Sequence, residues 1–258
     1  MNNQYKVAFV TGASVGIGLE VARRFSQQGM SLVLLARRKE KLEQLARELS
    51  VNAPCHVIAC DIRDLEQVGG EIDKLPEAFS QIDILVNNAG LSLGLVPAHT
   101  ADWNDWRQMI DTNCTALAFV TRKLLPGMVS RNRGHIVNLG SVAGSYAYPG
   151  GNVYSATKAF VEHFSRSLKA DLLGTALRVT NIEPGMTGDT EFSLVRFHGN
   201  RDEADAVYKG ADYLTPVDIA EAVCWAVAQP AHVNINRMEI MPVCQATGPL
   251  AVHRKPTE

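Results

Sequence analysis

Residues 5–18, Tyr5-Lys6-Val7-Ala8-Phe9-Val10-Thr11-Gly12-Ala13-Ser14-Val15-Gly16-Ile17-Gly18, run from a β-rich apolar segment straight into a glycine-punctuated turn. Ile17, Val21, Ala22 and Phe25 then recur at helical spacing, and the helix stops at Gly29. Strand, glycine turn, helix is the opening unit of a parallel α/β sheet. Gly12 permits a tight turn, Gly16 lets backbone approach a phosphate, and Gly18 allows close packing of helix on sheet. The spacing is G-x-x-x-G-x-G, not the G-x-G-x-x-G of the dinucleotide fingerprint, yet it serves the same end. Ala13, Ser14, Val15 and Ile17 complete a cradle in which the helix N-terminus offers free N–H groups and partial positive charge to a pyrophosphate.

The same rhythm continues along the chain. Tyr5–Val10, Ser31–Ala36, His56–Cys60, Ile82–Asn88, His135–Leu139, Leu177–Ile182 and Ile235–Met241 read as seven strands. Most are continuous apolar runs, as expected of strands buried on both faces. Helical patterns lie between them, among them Leu42 to Leu49, Leu65 to Leu75 and Val153 to Ala170. Thr215-Pro216-Val217-Asp218 combines a capping Thr, an early Pro and an early acid, so it starts the last helix. The expectation is one doubly wound α/β domain of Rossmann type over residues 1–258, a seven-stranded, mostly parallel sheet with helices on both faces. Residues 185–210 have weak periodicity and are expected to form a substrate lid; residues 244–258 read as a surface-draped tail.

Composition excludes other classes. With 25 basic and 27 acidic side chains the formal charge is −2, so neither a nucleic acid nor an anionic membrane would meet a basic field. The apolar runs are too short to span a bilayer, and the N-terminus does not read as a signal peptide. The five cysteines are odd in number and form no C-x-x-C pair, which suggests a reduced, cytoplasmic protein without zinc or disulfides.

An NAD-type site would place an acid at the end of the second strand, on the ribose 2′-hydroxyl. Here Ala36 is followed by Arg37 and Arg38. The loss of the acid and gain of guanidinium groups that hold a phosphate bidentately favours NADP(H); the alternative is two solvated residues opening the next helix. Tyr154 and Lys158 stand at i and i+4, one turn apart on a helix, where an ammonium would lower the phenol pKa toward the range of a general base. Ser141 follows the fifth strand, and Asn88-Ala89-Gly90 follows the fourth, so both fall on the carboxyl edge where ligands of open parallel sheets bind.

Thr11-Gly12 through Gly18, Asn87-Asn88-Ala89-Gly90, Asn113, Ser141, Tyr154 with Lys158, and Pro184-Gly185 resemble, in order and spacing, the short-chain dehydrogenase/reductase family. The resemblance spans about residues 5 to 242. It implies that Ser141 positions the substrate oxygen, Tyr154 is the acid/base, Lys158 binds the nicotinamide ribose, and Asn113 holds a water in a proton relay. It also implies that Asp61 and Ile62 meet the adenine, Asn88 to Gly90 line the cofactor site, and Pro184, Gly185, Met186 and Thr187 flank the nicotinamide. The stretches 82–91, 148–154, 182–185, 188–193 and 230–236 look like the NADP-dependent 3-hydroxy acid dehydrogenases, which act on serine, allo-threonine or 3-hydroxypropionate and the matching semialdehydes, as homotetramers. The segment after Pro184 departs from that pattern: it is one residue longer before Thr190, with Thr187 and Asp189 where other residue types are usual.

A 3-hydroxy acid needs a cation for its carboxylate, and Arg196, near Phe192 and Phe197, is the candidate; a solvated arginine is the alternative. Trp103, Trp106 and Met109 fit an interface or a core equally well. Two other functions share the motifs: a reductase of a 3-ketoacyl thioester or sugar, and a regulator that binds NADPH without turnover. A thioester carrier would use a basic patch, for which Arg131-Asn132-Arg133 is small; retention of Ser141, Tyr154 and Lys158 counts against the regulator.

Overall fold

The apolar runs pair into a single sheet. In the computed structural model, which describes residues 5–247, the strands are β1 (Val7–Thr11), β2 (Ser31–Ala36), β3 (Cys55–Ala59), β4 (Ile84–Asn87), β5 (His135–Leu139), β6 (Arg178–Pro184) and β7 (Arg237–Ile240). Their order is β3-β2-β1-β4-β5-β6-β7, and every pair is parallel. β1, β5 and β6 are buried along their whole length, whereas the edge strand β7 alternates between exposed and half-buried residues.

Period-two alternation divides each strand between two cores. Ala8, Val10, Leu32 and Leu34 face α1 (Gly16–Gln27), α2 (Lys39–Leu49) and α10 (Pro216–Val227), where Phe25, Leu42 and Val223 are fully buried. Phe9, Val33, Leu35 and Leu85 face α3 (Leu65–Asp73), α6 (Leu117–Ser130) and α7 (Asn152–Asp171), through Val68, Val120 and Leu168. Each buried Val, Leu or Phe among these contributes about 1.5–3 kcal/mol relative to exposure. The expected start of α10 is present as a capping box: the Thr215 N–H donates to Asp218 Oδ2 at 2.7 Å and the Asp218 N–H returns to Thr215 Oγ1.

Two stretches are more structured than the sequence suggested. Residues 185–210 contain α8 (Phe192–Arg196) and α9 (Arg201–Ala206), helices of five and six residues that are too short to show a periodic pattern. Before α6, helix α5 (Trp103–Ile110) runs on through a π-helical segment, Asp111–Ala116, that carries Asn113. A short helix α4 (Glu77–Ser80) precedes β4. On α5, Met109 is buried while Trp103 is 64 % exposed, so core packing accounts for one and not the other. Within the tail, Gln245 turns inward to accept from the Met186 N–H at 2.7 Å rather than trailing along the surface; residues 248–258 lie outside the described residues.

Strand order reverses between β1 and β4. Crossovers leave this point to opposite sides, so the loops after both strands part and a cleft opens at their carboxyl ends.

Candidate active site

At that reversal lies a cleft of about 460 Å³. Its floor is the glycine turn. Gly12 and Gly16 have φ of +66° and +57°, and a Cβ on Gly12 would stand 2.8 Å from Asn88 Nδ2. Asn88 is the clamp that makes this approach close: its amide donates to the Thr11 and Gly12 carbonyls at 2.9 and 3.2 Å, joining β4 to the turn. Val15 enters α1 in an extended conformation with no side-chain cap, so the first N–H groups of the helix face the cleft free of side-chain acceptors.

One end of the cleft is cationic. Arg37 and Arg38 line it, beside Asp61 and Ile62. Arg38 Nη2 donates to Ser14 Oγ at 3.4 Å, and Nη1 pairs with Glu191 at 2.8 Å. Lys41 joins the same carboxylate at 3.1 Å. Asp61 accepts from Arg63 at 2.6 Å, and that guanidinium holds its carboxyl below the usual carboxylate range. The residues present therefore fit a dinucleotide with a 2′-phosphate: a glycine floor, an open helix N-terminus and guanidinium groups where an NAD site has an acid.

The other end gathers the chemical groups. Gly140 and Ser141 follow β5, and Ser141 caps a short 3₁₀ turn, Val142–Gly144, by accepting from the Ala143 N–H at 3.1 Å. That turn sits directly on α7: a Cβ on Gly144 would stand 2.8 Å from the Lys158 backbone carbon. Tyr154 and Lys158 are 6 % and 7 % exposed. The Lys158 ammonium lies 6.0 Å from the Tyr154 ring centroid and donates to the Leu139 carbonyl at 2.7 Å.

Burial pushes the Tyr154 phenol up to about 12, against an opposing pull from the neighbouring Ser141 hydroxyl and the Arg196 guanidinium. Burial also pushes the Lys158 ammonium down to about 8. Burial therefore opposes the lowering of the phenol pKa expected from the spacing of Lys158. Among the protein groups desolvation dominates, and the groups that favour the phenolate are Ser141 and Arg196.

Asn113 ties together the elements at this end of the cleft. Its Oδ1 accepts from the Leu91 N–H at 2.9 Å, and its amide donates to the Leu91 carbonyl at 2.8 Å and to Thr157 Oγ1 at 3.0 Å. The side chain therefore staples the loop after β4 and helix α7 to the π-helical segment, and both of its N–H groups are used in doing so. π segments cluster at functional sites.

Arg196, at the end of α8, reaches over the Tyr154 and Phe192 rings with its guanidinium carbon 5.4 and 4.9 Å from the centroids. Its donors go to neutral oxygens, Ser92 Oγ at 3.2 Å and the Tyr148 hydroxyl at 3.3 Å. Pro184, Gly185, Met186 and Thr187 form the facing wall, held by the Leu214 N–H on the Met186 carbonyl and by the Tyr208 hydroxyl on the Thr187 carbonyl.

Of the residues given a catalytic, cofactor or substrate role from the sequence, Ala13, Gly18 and Asn113 stand outside the cleft lining; the others line it. Sequence reasoning missed Gly140 and Gly144, though glycines flanking a strand-end serine are a readable signal. It also missed Tyr148, Tyr208, Glu191 and Gln245, whose placement depends on contacts between distant segments.

Fold and cleft together define a nucleotide-dependent oxidoreductase architecture. The short chain dehydrogenase family profile matches residues 6–199, and the chain belongs to that family. Among its relatives, "NADP-dependent 3-hydroxy acid dehydrogenase YdfG" of Escherichia coli O6:H1 is 52 % identical over 249 residues, 96 % of this chain and 100 % of that protein. "Sulfoacetaldehyde reductase 2" of Chromohalobacter salexigens is 47 % identical, over 96 % of this chain and 98 % of its own length. A solved structure, "The Closed form of serine dehydrogenase complexed with NADP+", superposes with a TM-score of 0.94 at 51 % identity, covering 96 % of this chain and 100 % of that one.

Proposed function

We propose that this enzyme transfers hydride between NADP(H) and C3 of short 3-hydroxy acids or their semialdehydes. The observation that carries the reading is the convergence of Ser141, Tyr154 and the Arg196 guanidinium in one cleft whose far end bears Arg37 and Arg38. Gly12, Ser14 to Ile17 and the open end of α1 would hold the pyrophosphate, Arg38 and Ser14 the 2′-phosphate, Lys158 the nicotinamide ribose, and Pro184 to Thr187 the nicotinamide face. When bound, the cofactor supplies or accepts the hydride.

The chain's own groups do the rest. Ser141 Oγ fixes the reacting oxygen of the substrate, and Tyr154 exchanges its proton. A phenol held near 12 is protonated at neutral pH, so it stands ready to donate, the role needed for reduction of a semialdehyde. Arg196 meets the substrate anion with donors whose present partners are neutral. Residues 185–210 carry α8 and act as the substrate lid, exclude water and bring Arg196 to Tyr154. A sulfonate would meet the same guanidinium, which extends the reading to sulfoacetaldehyde-type substrates.

A thioester carrier fits less well. Arg131 donates to the Ile82 carbonyl at 2.6 Å and Arg133 pairs with Asp83 at 2.8 Å, so both basic side chains of that small patch are used within the fold. The five free cysteines support a cytoplasmic setting, and exposed Trp103 on α5 and Phe160 on α7 offer apolar surface for contacts between subunits of the homotetramer that we propose. No helix among the described residues is long and apolar enough to cross a membrane.

The test mixes enzyme, NADP+ and L-serine or 3-hydroxypropionate and follows the absorbance of the reduced nicotinamide. Turnover that disappears in Tyr154→Phe supports the reading. Cofactor binding without turnover of any hydroxy acid refutes it.

A further inference from the structure

We infer that Glu191 is a positioning residue: through Arg38 and Lys41 it fastens the start of α8, and with it Phe192 and Arg196, to the adenosine end of the cofactor cleft. This rests on the proposed roles of Arg38 and Arg196.

Glu191 is bound across the cleft by residues 150 and 153 positions away in the chain. Its two carboxylate oxygens take Arg38 Nη1 at 2.9 and 2.8 Å, and Lys41 Nζ reaches it at 3.1 Å. It immediately precedes α8, and its carbonyl accepts from the Val195 N–H at 2.9 Å, so the carboxylate and the first turn move as one piece. Four residues beyond the start of that helix, Arg196 is fixed at its own end: the Gly94 N–H donates to its carbonyl at 2.9 Å, and its side chain holds Ser92 and Tyr148. Between the two anchors Phe192 lies 5.7 Å from the Tyr154 ring. Helix α8 is thus a short rod spanning the cleft, tied at one end to the cofactor's phosphate cradle and at the other to the substrate's cation.

Charge balance lets Glu191 stay in place when a phosphate dianion occupies the cradle. Arg37, Arg38, Lys41 and Arg63 carry four positive charges there, against the carboxylates of Glu191 and Asp61. The surplus of two matches a phosphate monoester above its second pKa of about 6. Glu191 contributes a counter-charge that Arg38 shares with the phosphate. The Arg38 guanidinium holds the Glu191 carboxyl below the usual carboxylate range, so it is ionised at neutral pH.

Three variants test this: Glu191→Gln, Lys41→Met and their combination, each with hydrogen exchange at residues 192–197, NADPH affinity by fluorescence titration, and steady-state kinetics on L-serine and on 1-propanol. Glu191→Gln is expected to speed exchange of the Val195 and Phe197 amides and to raise KM for L-serine by about threefold to fivefold, the range an exposed ion pair can supply. Loss of a negative charge beside the cradle is expected to tighten NADPH binding by no more than about fivefold, while KM for 1-propanol moves less than KM for L-serine. Lys41→Met shifts KM in the same direction by less, and adds nothing in the Glu191→Gln background. Unchanged exchange, faster exchange with unchanged KM, or additive effects of the two substitutions each overturn the inference. A wild-type enzyme that turns over no hydroxy acid defeats the functional reading instead, while the exchange experiment still decides whether Glu191 holds α8.

Discussion

The Lys158 ammonium donates to the Leu139 carbonyl at 2.7 Å, which ties the helix bearing Tyr154 to the last residue of β5. The tie is made by a buried cation, and burial pushes its pKa from 10.5 down to about 8. Between those values the unfolded chain binds the extra proton, so this group makes stability rise with pH through that window. Below it the buried charge withholds roughly 3 kcal/mol. Lys158→Met is therefore expected to abolish turnover yet unfold at a higher temperature than wild type at pH 7. That advantage shrinks as the pH is raised from 8 to 10.5. Thermal unfolding across this range, without added cofactor, checks both halves.

Proton transfer carries its own pH signature. Because burial holds the Tyr154 phenol near 12, its ionised fraction rises about tenfold per pH unit throughout the neutral range. Alcohol oxidation should therefore have a kcat/KM that climbs from pH 6 to pH 10, while carbonyl reduction stays level between pH 6 and 8. Profiles measured in both directions on one substrate pair would show the divergence. Parallel profiles would remove Tyr154 from the role of proton carrier.

Close packing decides the next case. A Cβ on Gly144 would stand 2.8–2.9 Å from the backbone of Lys158 and Ala159, atoms that α7 holds in its own hydrogen-bond ladder. Neither side can give way cheaply, so Gly144→Ala must push the 3₁₀ turn, and Ser141 with it, off the helix. Overpacking of this kind destabilises by about 1–3 kcal/mol. The expected result is a kcat loss larger than tenfold with NADPH affinity nearly unchanged, because the glycine floor at Gly12 to Gly18 lies elsewhere. Equilibrium unfolding and fluorescence titration separate the two effects.

The strand pattern was legible because β1, β2, β5 and β6 are buried on both faces and so read as unbroken apolar runs. Tyr154 and Lys158 were legible because four-residue spacing on a helix fixes a shared face. The π segment at Asp111–Ala116 was not: no Gly or Pro marks it, and its Asn113 is held by Leu91 and Thr157 from other elements. Electrostatic balance was also out of reach. Spacing places an ammonium near a phenol, but only the packed structure shows that desolvation outweighs it and that the ammonium turns to Leu139. Glu191 illustrates the same limit, since nothing local pairs it with Arg38.

The proposed reading of the 2′-phosphate by Arg38 makes cofactor choice testable. Its guanidinium lies between Ser14 and Glu191 at the cationic end of the cleft, with no acid at the end of β2 to repel a 2′-phosphate. A charged hydrogen bond of this type is worth about 1.5–3 kcal/mol. Arg38→Ala should weaken NADPH binding by roughly tenfold to a hundredfold and leave NADH within about twofold. Equal losses for both cofactors would mean that Arg38 supports the fold of this edge rather than reading the phosphate.

The proposed reading of substrate charge by Arg196 is testable at the opposite end. Arg196 places its guanidinium carbon 5.4 Å from the Tyr154 ring, and its donors are shared with two hydroxyls, so a carboxylate or sulfonate gains a charged partner there without displacing an acidic one. The guanidinium also stacks on Phe192, which a methionine could replace in volume but not in charge. Arg196→Met should therefore raise KM for L-serine about tenfold to a hundredfold, in keeping with the loss of a charge-assisted hydrogen bond. The KM for an uncharged short alcohol should move by less than about threefold, since that substrate has only the loss of packing to register. Because Arg196 is one of the groups that favours the phenolate, the alkaline rise in oxidation should also shift to higher pH in this variant. Equal increases in KM for the acid and the alcohol would show that Arg196 shapes the cleft without recognising the anion, and substrate selection would then lie with another residue.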